Sequence, residues 1–207
     1  MKRLSFLALL LVLGLSSCVV RDDDYDVQPV GYQYSFVDDF NNDYHQWSFR
    51  DNVSNASVYI SGGMLHYDYH PQNSGTNTVA VSTGLRTTRD FDIQTRFRSN
   101  NAMAMVFGVS PSDYGYSFFI DDRGYFALYD EGTSTIKPQA ILDWSKSGTV
   151  RSGWNDVEME QVGNSWVGYI NGVQVFQVPA RTLYGSQVGF MTLANTSGDA
   201  DYLDIKW

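Results

Sequence analysis

Two turn dipeptides constrain this chain more than any other feature. Gly163-Asn164 and Asn171-Gly172 separate three short runs, Trp154 to Val162, Ser165 to Ile170 and Val173 to Val178, each with apolar residues in alternation. Two-residue hairpin loops need positive φ, and Gly and Asn adopt it at least cost. The stretch therefore reads as a three-strand antiparallel meander. Turns this tight exclude a parallel α/β sheet, whose strands need long crossovers. A sheet with one apolar face must bury it against a second layer, so the expected architecture is an all-β, two-layer antiparallel β-sandwich.

The rest of the chain agrees with that reading. Tyr, Phe, Val, Ile and Thr are abundant, Gly and Asn punctuate the runs, and no long stretch shows helical apolar spacing. Further strands are expected at Tyr34 to Phe40, Ala56 to Ile60, Met64 to His70, Asn77 to Gly84, Asp90 to Ser99 and Ala102 to Val109. The series continues with Tyr116 to Asp121, Gly124 to Asp130, Ile136 to Trp144, Gln187 to Ala194 and Tyr202 to Trp207. Ala102 to Val109 is apolar on both faces, as a central strand would be.

The first residues read as an address. Lys2 and Arg3 precede an apolar run from Leu4 to Leu15, too short to span a bilayer, and Leu15-Ser16-Ser17-Cys18 follows. This resembles the lipobox of bacterial lipoproteins. The resemblance implies a signal peptide over 1–17 and an acylated Cys18 (palmitate-class chains) as first mature residue. An ordinary signal peptide with a chance cysteine is the alternative. Residues 18–31 include Arg21-Asp22-Asp23-Asp24-Tyr25-Asp26, then Pro29 and Gly31, the composition of a solvated tether. An acidic run there also resembles the export signals of surface-exposed lipoproteins in the Bacteroidetes; a simple spacer explains it equally. The expected location is the cell envelope, lipid-anchored to the outer membrane.

Cys18 is the only cysteine, so no disulfide can form within the chain. The whole chain carries a net charge of −9; without Lys2 and Arg3, 12 basic residues face 23 acidic ones, a net −11. That balance argues against nucleic acid as a partner. Residues 32–207 are long enough for one sandwich domain with a substantial core.

The order of motifs resembles a known superfamily. Phe36-Val37-Asp38-Asp39-Phe40 and Trp47 open the domain; Gly62, Gly63 and Leu65, then Asp90-Phe91-x-Ile93 and Tyr116-x-Phe118-x-Ile120 follow. Gly153-Trp154-Asn155, Gly163-Asn164, Tyr169-Ile170-Asn171-Gly172, Val188-Gly189-Phe190 and Leu203-Asp204-Ile205 complete the set. The chain resembles the concanavalin A-like lectin/glucanase superfamily, near laminin-G-like and 3-keto-disaccharide hydrolase domains. These motifs speak for a jelly-roll fold and only weakly for function, because such folds host both binders and enzymes.

Four groups of residues are candidates for chemistry. Asp156-x-Glu158-x-Glu160 places three carboxylates on one strand face. It resembles the Glu-x-Asp-x-Glu strand of family 16 glycoside hydrolases, with the acid types interchanged. Catalytic roles for Glu158 and Glu160 compete with a solvated face paired to Arg96 and Arg98. His66-x-Asp68-x-His70 shares one face too, as a polar strand face or part of a metal site. Asp38, Asp39 and Asp204 would hold a structural calcium if the first and last strands are neighbours, or else cap strand ends.

The aromatics form the fourth group. Alternation sends Tyr116, Phe118, Ile120, Phe126 and Leu128 inward. It leaves Phe119, Tyr125 and Tyr129 opposite, beside Asp121, and Tyr169 opposite Gly168 and Ile170. Trp47 and Trp144 fall in or beside loops. Flat rings edged with hydroxyls and carboxylates suit a glycan or polysaccharide; a satellite core under loops is the alternative. No phosphate loop, nucleophile elbow, Cys/His dyad or dinucleotide fingerprint occurs. The leading expectation is a non-catalytic, lectin-like glycan binder. The alternatives are a glycoside hydrolase or keto-sugar hydrolase and a protein-docking surface domain.

Overall fold

The computed structural model describes residues 31–207. The signal peptide, Cys18 and nearly all of the tether lie outside the described residues. Among the described residues no helix is long and apolar enough to cross a membrane. The strands, in chain order, are β1 (Ser35–Asp38), β2 (Phe49–Asp51), β3 (Ala56–Ser61), β4 (Met64–Tyr69) and β5 (Thr76–Ser82). Next come β6 (Phe91–Ser99), β7 (Ala102–Val109), β8 (Tyr116–Asp121), β9 (Tyr125–Asp130) and β10 (Gln139–Lys146). β11 (Asn155–Val162), β12 (Ser165–Ile170), β13 (Val173–Pro179), β14 (Gln187–Leu193) and β15 (Thr196–Lys206) complete the domain.

They form two antiparallel sheets. The first runs β13-β12-β11-β6-β15-β4-β3-β2, with β1 also paired to β15; the second runs β10-β9-β8-β7-β14-β5. The meander appears as β11, β12 and β13. Asn171 and Gly172 both take positive φ, 53° and 75°, as their hairpin turn requires. β7 lies between β8 and β14 and is buried along its whole length.

Alternation builds the core. Phe91, Ile93 and Phe97 of β6 point inward with Val157 and Met159 of β11 and Trp166 and Ile170 of β12. The second sheet answers with Met103, Met105 and Phe107, Phe118, and Val188 and Phe190. Rings meet across the gap: Phe107 and Trp166 at 5.1 Å edge-on, Phe118 and Phe176 at 5.0 Å.

Two elements differ from expectation. β2 is a three-residue edge strand within a polar stretch. β15 begins at Thr196, not Tyr202, directly after Asn195 turns the chain at φ 62°. Ser197-Gly198-Asp199 reads as a loop by composition, yet it pairs with Asp68, Tyr67 and His66 of β4. The neighbouring strands override its weak local preference.

Trp47, which falls in or beside a loop by sequence, belongs to the core and offers no ring to a glycan. It is fully buried, meets Phe40 edge-on at 5.6 Å, and donates Nε1–H to Asp38 Oδ2 at 2.7 Å.

Candidate functional site

The outer face of the second sheet holds most of the aromatic candidates. Register places Met191, Ala104, Phe119 and Ala127 in one row across β14, β7, β8 and β9. With Ala102, Val106 and Val109 they form a second, smaller apolar cluster. In β10 the register shifts between Leu142 and Ser145, and Trp144 in that bulge packs over Phe119 at 5.8 Å. Tyr129 closes on Phe119 from another side, edge-on at 6.3 Å, with its hydroxyl 3.5 Å from Asp143. Phe119 is therefore only 3 % exposed and belongs to the satellite core.

Asp121 is likewise buried and does not face a ligand. At 2 % exposure its carboxylate faces the β8–β9 turn. It accepts from the backbone N–H of Arg123 (3.0 Å) and Tyr125 (2.8 Å) and from the Arg123 guanidinium (2.8 Å). It shapes the turn and has no surface left to offer. Tyr125 and Trp144 remain half-exposed. With Arg123 and Lys146 they line an open cleft of about 550 Å³. Lys146 Nζ lies 5.6 Å from the Tyr125 ring centre.

Tyr169 does not join them. It lies on β12 of the first sheet, facing out from the other side of the sandwich, directly across from Glu158. There the carboxylate run of β11 departs from the expected ion pairs. β6 is indeed the neighbour of β11, but the register sets Glu158 against Gln94 and Glu160 against Asp92. Arg96 and Arg98 pair instead with Asp201 (3.4 Å) and Asp199 (2.8 Å) of β15 and stack on Trp154.

The result is an acidic cluster that alternation along one strand does not reveal. Asp92, Glu158 and Glu160 each bring a carboxylate oxygen within 4.8 Å of the others, an arrangement able to hold a metal ion. Gln94 bridges two of them, donating to Asp92 Oδ2 at 2.8 Å and Glu158 Oε1 at 3.3 Å. Burial first, then the charges of Asp92 and Glu160, raises Glu158 to about 7. Burial first, with Glu160 adding, raises Asp92 to about 6. Burial and the same acids raise Tyr169. A carboxyl raised toward neutrality beside a second carboxyl is also a pairing that acid–base chemistry uses.

Asp38, Asp39 and Asp204 do not converge. β1 and β15 are neighbours as expected, but Asp38 faces Leu203 while Val37 faces Asp204, so Asp38 and Asp204 leave opposite faces. Asp38 binds Phe40 N and Trp47, Asp39 caps Asn41, and Asp204 pairs with Lys206 at 3.1 Å. His66 and His70 share a face and are occupied by Asp199 and Ser197.

No family model matches this sequence, and no curated protein does. Solved structures do resemble it. A carbohydrate-binding module, CBM66, from Bacillus subtilis superposes with a TM-score of 0.59 at 11% identity, over 74% of this chain and 93% of that one. A β-glucanase from Bacillus licheniformis gives 0.57 at 11% identity, over 84% and 98%. The CBM2 module of a Dit protein from Lactobacillus casei phage J-1 gives 0.54 at 10% identity, over 84% and 96%. The fold is the concanavalin A-like jelly roll. On this jelly roll the two candidate regions occupy opposite outer faces, the aromatic cleft on the six-stranded sheet and the acidic cluster on the nine-stranded one.

Proposed function

We propose that the domain binds a glycan without cleaving it, through the cleft of Tyr125 and Trp144. One observation carries this reading: two half-exposed rings stand at an open cleft whose rim bears Arg123 and Lys146. A pyranose presents an apolar C–H face and a polar edge, and this surface offers both complements. The carbohydrate-binding modules among the fold neighbours are in keeping with it. The test is glycan-array binding followed by calorimetry with Tyr125→Ala and Trp144→Ala. Each should lose most of the affinity; Tyr125→Ala should keep a near-native melting curve, while Trp144→Ala also uncovers Phe119 and should melt lower. Undiminished binding in both would defeat the cleft as the binding site.

We further propose that Cys18 anchors the domain by acyl chains to the outer membrane, where it reaches polysaccharide. The lipobox-like residues support this reading. Acyl labelling and membrane fractionation of Cys18→Ala test it, with a soluble, unlabelled product expected.

A second reading, glycoside hydrolysis at Glu158 and Glu160, has the elevated Glu158 in its favour. Turnover of a polysaccharide panel that disappears in Glu158→Gln would establish it.

A further inference from the structure

The acidic cluster of the nine-stranded sheet gathers more negative charge than its neighbouring side chains balance. Asp92, Glu158 and Glu160 come from two adjacent strands. Among the described residues, none of the three is in an ion pair. Lys206 of β15 stands across from Asp92 in register, but its Nζ is paired with Asp204 at 3.1 Å and makes no ion pair with the three acids. Surface carboxylates tolerate such crowding because water solvates them, but Asp92 is only 7 % exposed. Its Oδ2 accepts from Gln94, while its Oδ1 is buried and has no donor among the described residues. A buried carboxylate oxygen without a donor is costly unless something positive completes it.

We propose that Asp92, Glu158 and Glu160 bind a divalent, oxygen-preferring cation of the calcium class. Ligand oxygens within 4.8 Å of one another leave a point about 2.8 Å or less from all three, a small side-chain adjustment from calcium's 2.3–2.6 Å bonds. Carboxylates without a histidine or thiolate select hard cations over zinc or copper. Gln94 positions the cluster. Its amide donates one hydrogen bond to Asp92 and another to Glu158, which orients both carboxylates as outer-shell partners do in metal sites. Glu158 and Glu160 are half-exposed, so solvent can complete the coordination sphere. The ion would tie β6 to β11 at the centre of the nine-stranded sheet and relieve the repulsion among the three acids. This inference stands apart from the glycan reading, since the cleft lies on the other sheet.

The test uses the full chain, stripped with chelator and then melted with and without millimolar calcium, magnesium or manganese. Calcium should raise the melting temperature, and calorimetry should give one site per chain. Asp92→Asn with Glu158→Gln should abolish the calcium response. Those two changes remove like charges, so the stripped variant should melt no lower than the stripped parent. If that double variant does not fold, Glu160→Gln alone, at a half-exposed position, should weaken binding by about tenfold or more. Asp39→Asn should leave the response intact. No shift with any of the three ions, or a calcium shift that survives in the Asp92 and Glu158 variant, would overturn the proposal. Glycan affinity measured in the same samples reports on the cleft separately.

Discussion

Asn155 Oδ1 accepts a hydrogen bond from Asn171 Nδ2 at 2.8 Å, joining the start of β11 to the turn between β12 and β13. Asn155 is buried and fully used: it also accepts from Arg151 N (2.8 Å) and donates to the carbonyls of Arg151 and Gly153 (2.9 Å each). Asn171 in turn donates to Thr149 O at 2.7 Å. Two motifs that stand apart in the chain are thus one polar knot at the end of the meander.

Asn155→Ala should destabilise the domain by roughly 3 kcal/mol, because several buried groups lose their partner at once. Asn155→Asp should be no milder. It keeps an acceptor for Asn171 but leaves two carbonyls without a donor and buries a charge. Urea unfolding of the two variants checks the size and the order of the effects.

Two strand glycines should differ in their tolerance of alanine. A Cβ at Gly168 would meet the Phe176 ring, a side chain of the edge strand β13. A Cβ at Gly189 would meet the Val79 carbonyl and Ala80 Cα, backbone atoms of the paired strand β5. Gly168→Ala should cost about 1–3 kcal/mol and Gly189→Ala more, since backbone yields less readily than a side chain. Thermal melts in parallel decide it; equal losses would contradict the distinction.

Asp121 should affect binding without touching the ligand. Asp121→Ala frees the backbone N–H groups of Arg123 and Tyr125, at a cost of about 1–3 kcal/mol, and loosens the turn that aims Tyr125 into the cleft. Asp121→Asn keeps an acceptor and should recover most of both losses. Calorimetry beside urea titration separates the effect on affinity from the effect on stability.

Glu131 predicts a pH dependence. Its carboxyl accepts from the Ser117 hydroxyl, and burial first, then Asp130, raises it above the ordinary glutamate range. Below that range both folded and unfolded chains hold the proton, and no difference arises. As pH rises from about 4, the unfolded chain ionises first, so the fold loses stability until its own Glu131 ionises. Glu131→Gln preserves the acceptor and removes this loss. Its melting temperature relative to the parent should therefore climb as pH rises from about 4 and level off once the folded Glu131 carboxyl has ionised.

Much of the fold is legible along the chain, because alternation and turn chemistry are local. The inward set of the β8–β9 hairpin, Phe118, Ile120, Phe126 and Leu128, follows from period two alone. The first half of β15 is not legible. Gly198 lies where Met103 Sδ and Arg98 O approach too closely for any side chain, so its reason is tertiary and its composition imitates a loop.

The candidate sites divide in the same way. By itself the sequence determined the two-layer antiparallel sandwich, the positive-φ turns and the outward direction of Tyr125, Tyr169, Glu158 and Glu160. A pleat sends alternate side chains to opposite faces wherever its strand lies. Only the tertiary structure decided that Glu160 meets Asp92 and not an arginine, and that Tyr169 and Tyr125 occupy different sheets. It likewise decided that the β10 bulge folds Trp144 over Phe119. Strand order and register are set by pairing between distant segments, and no local period encodes them.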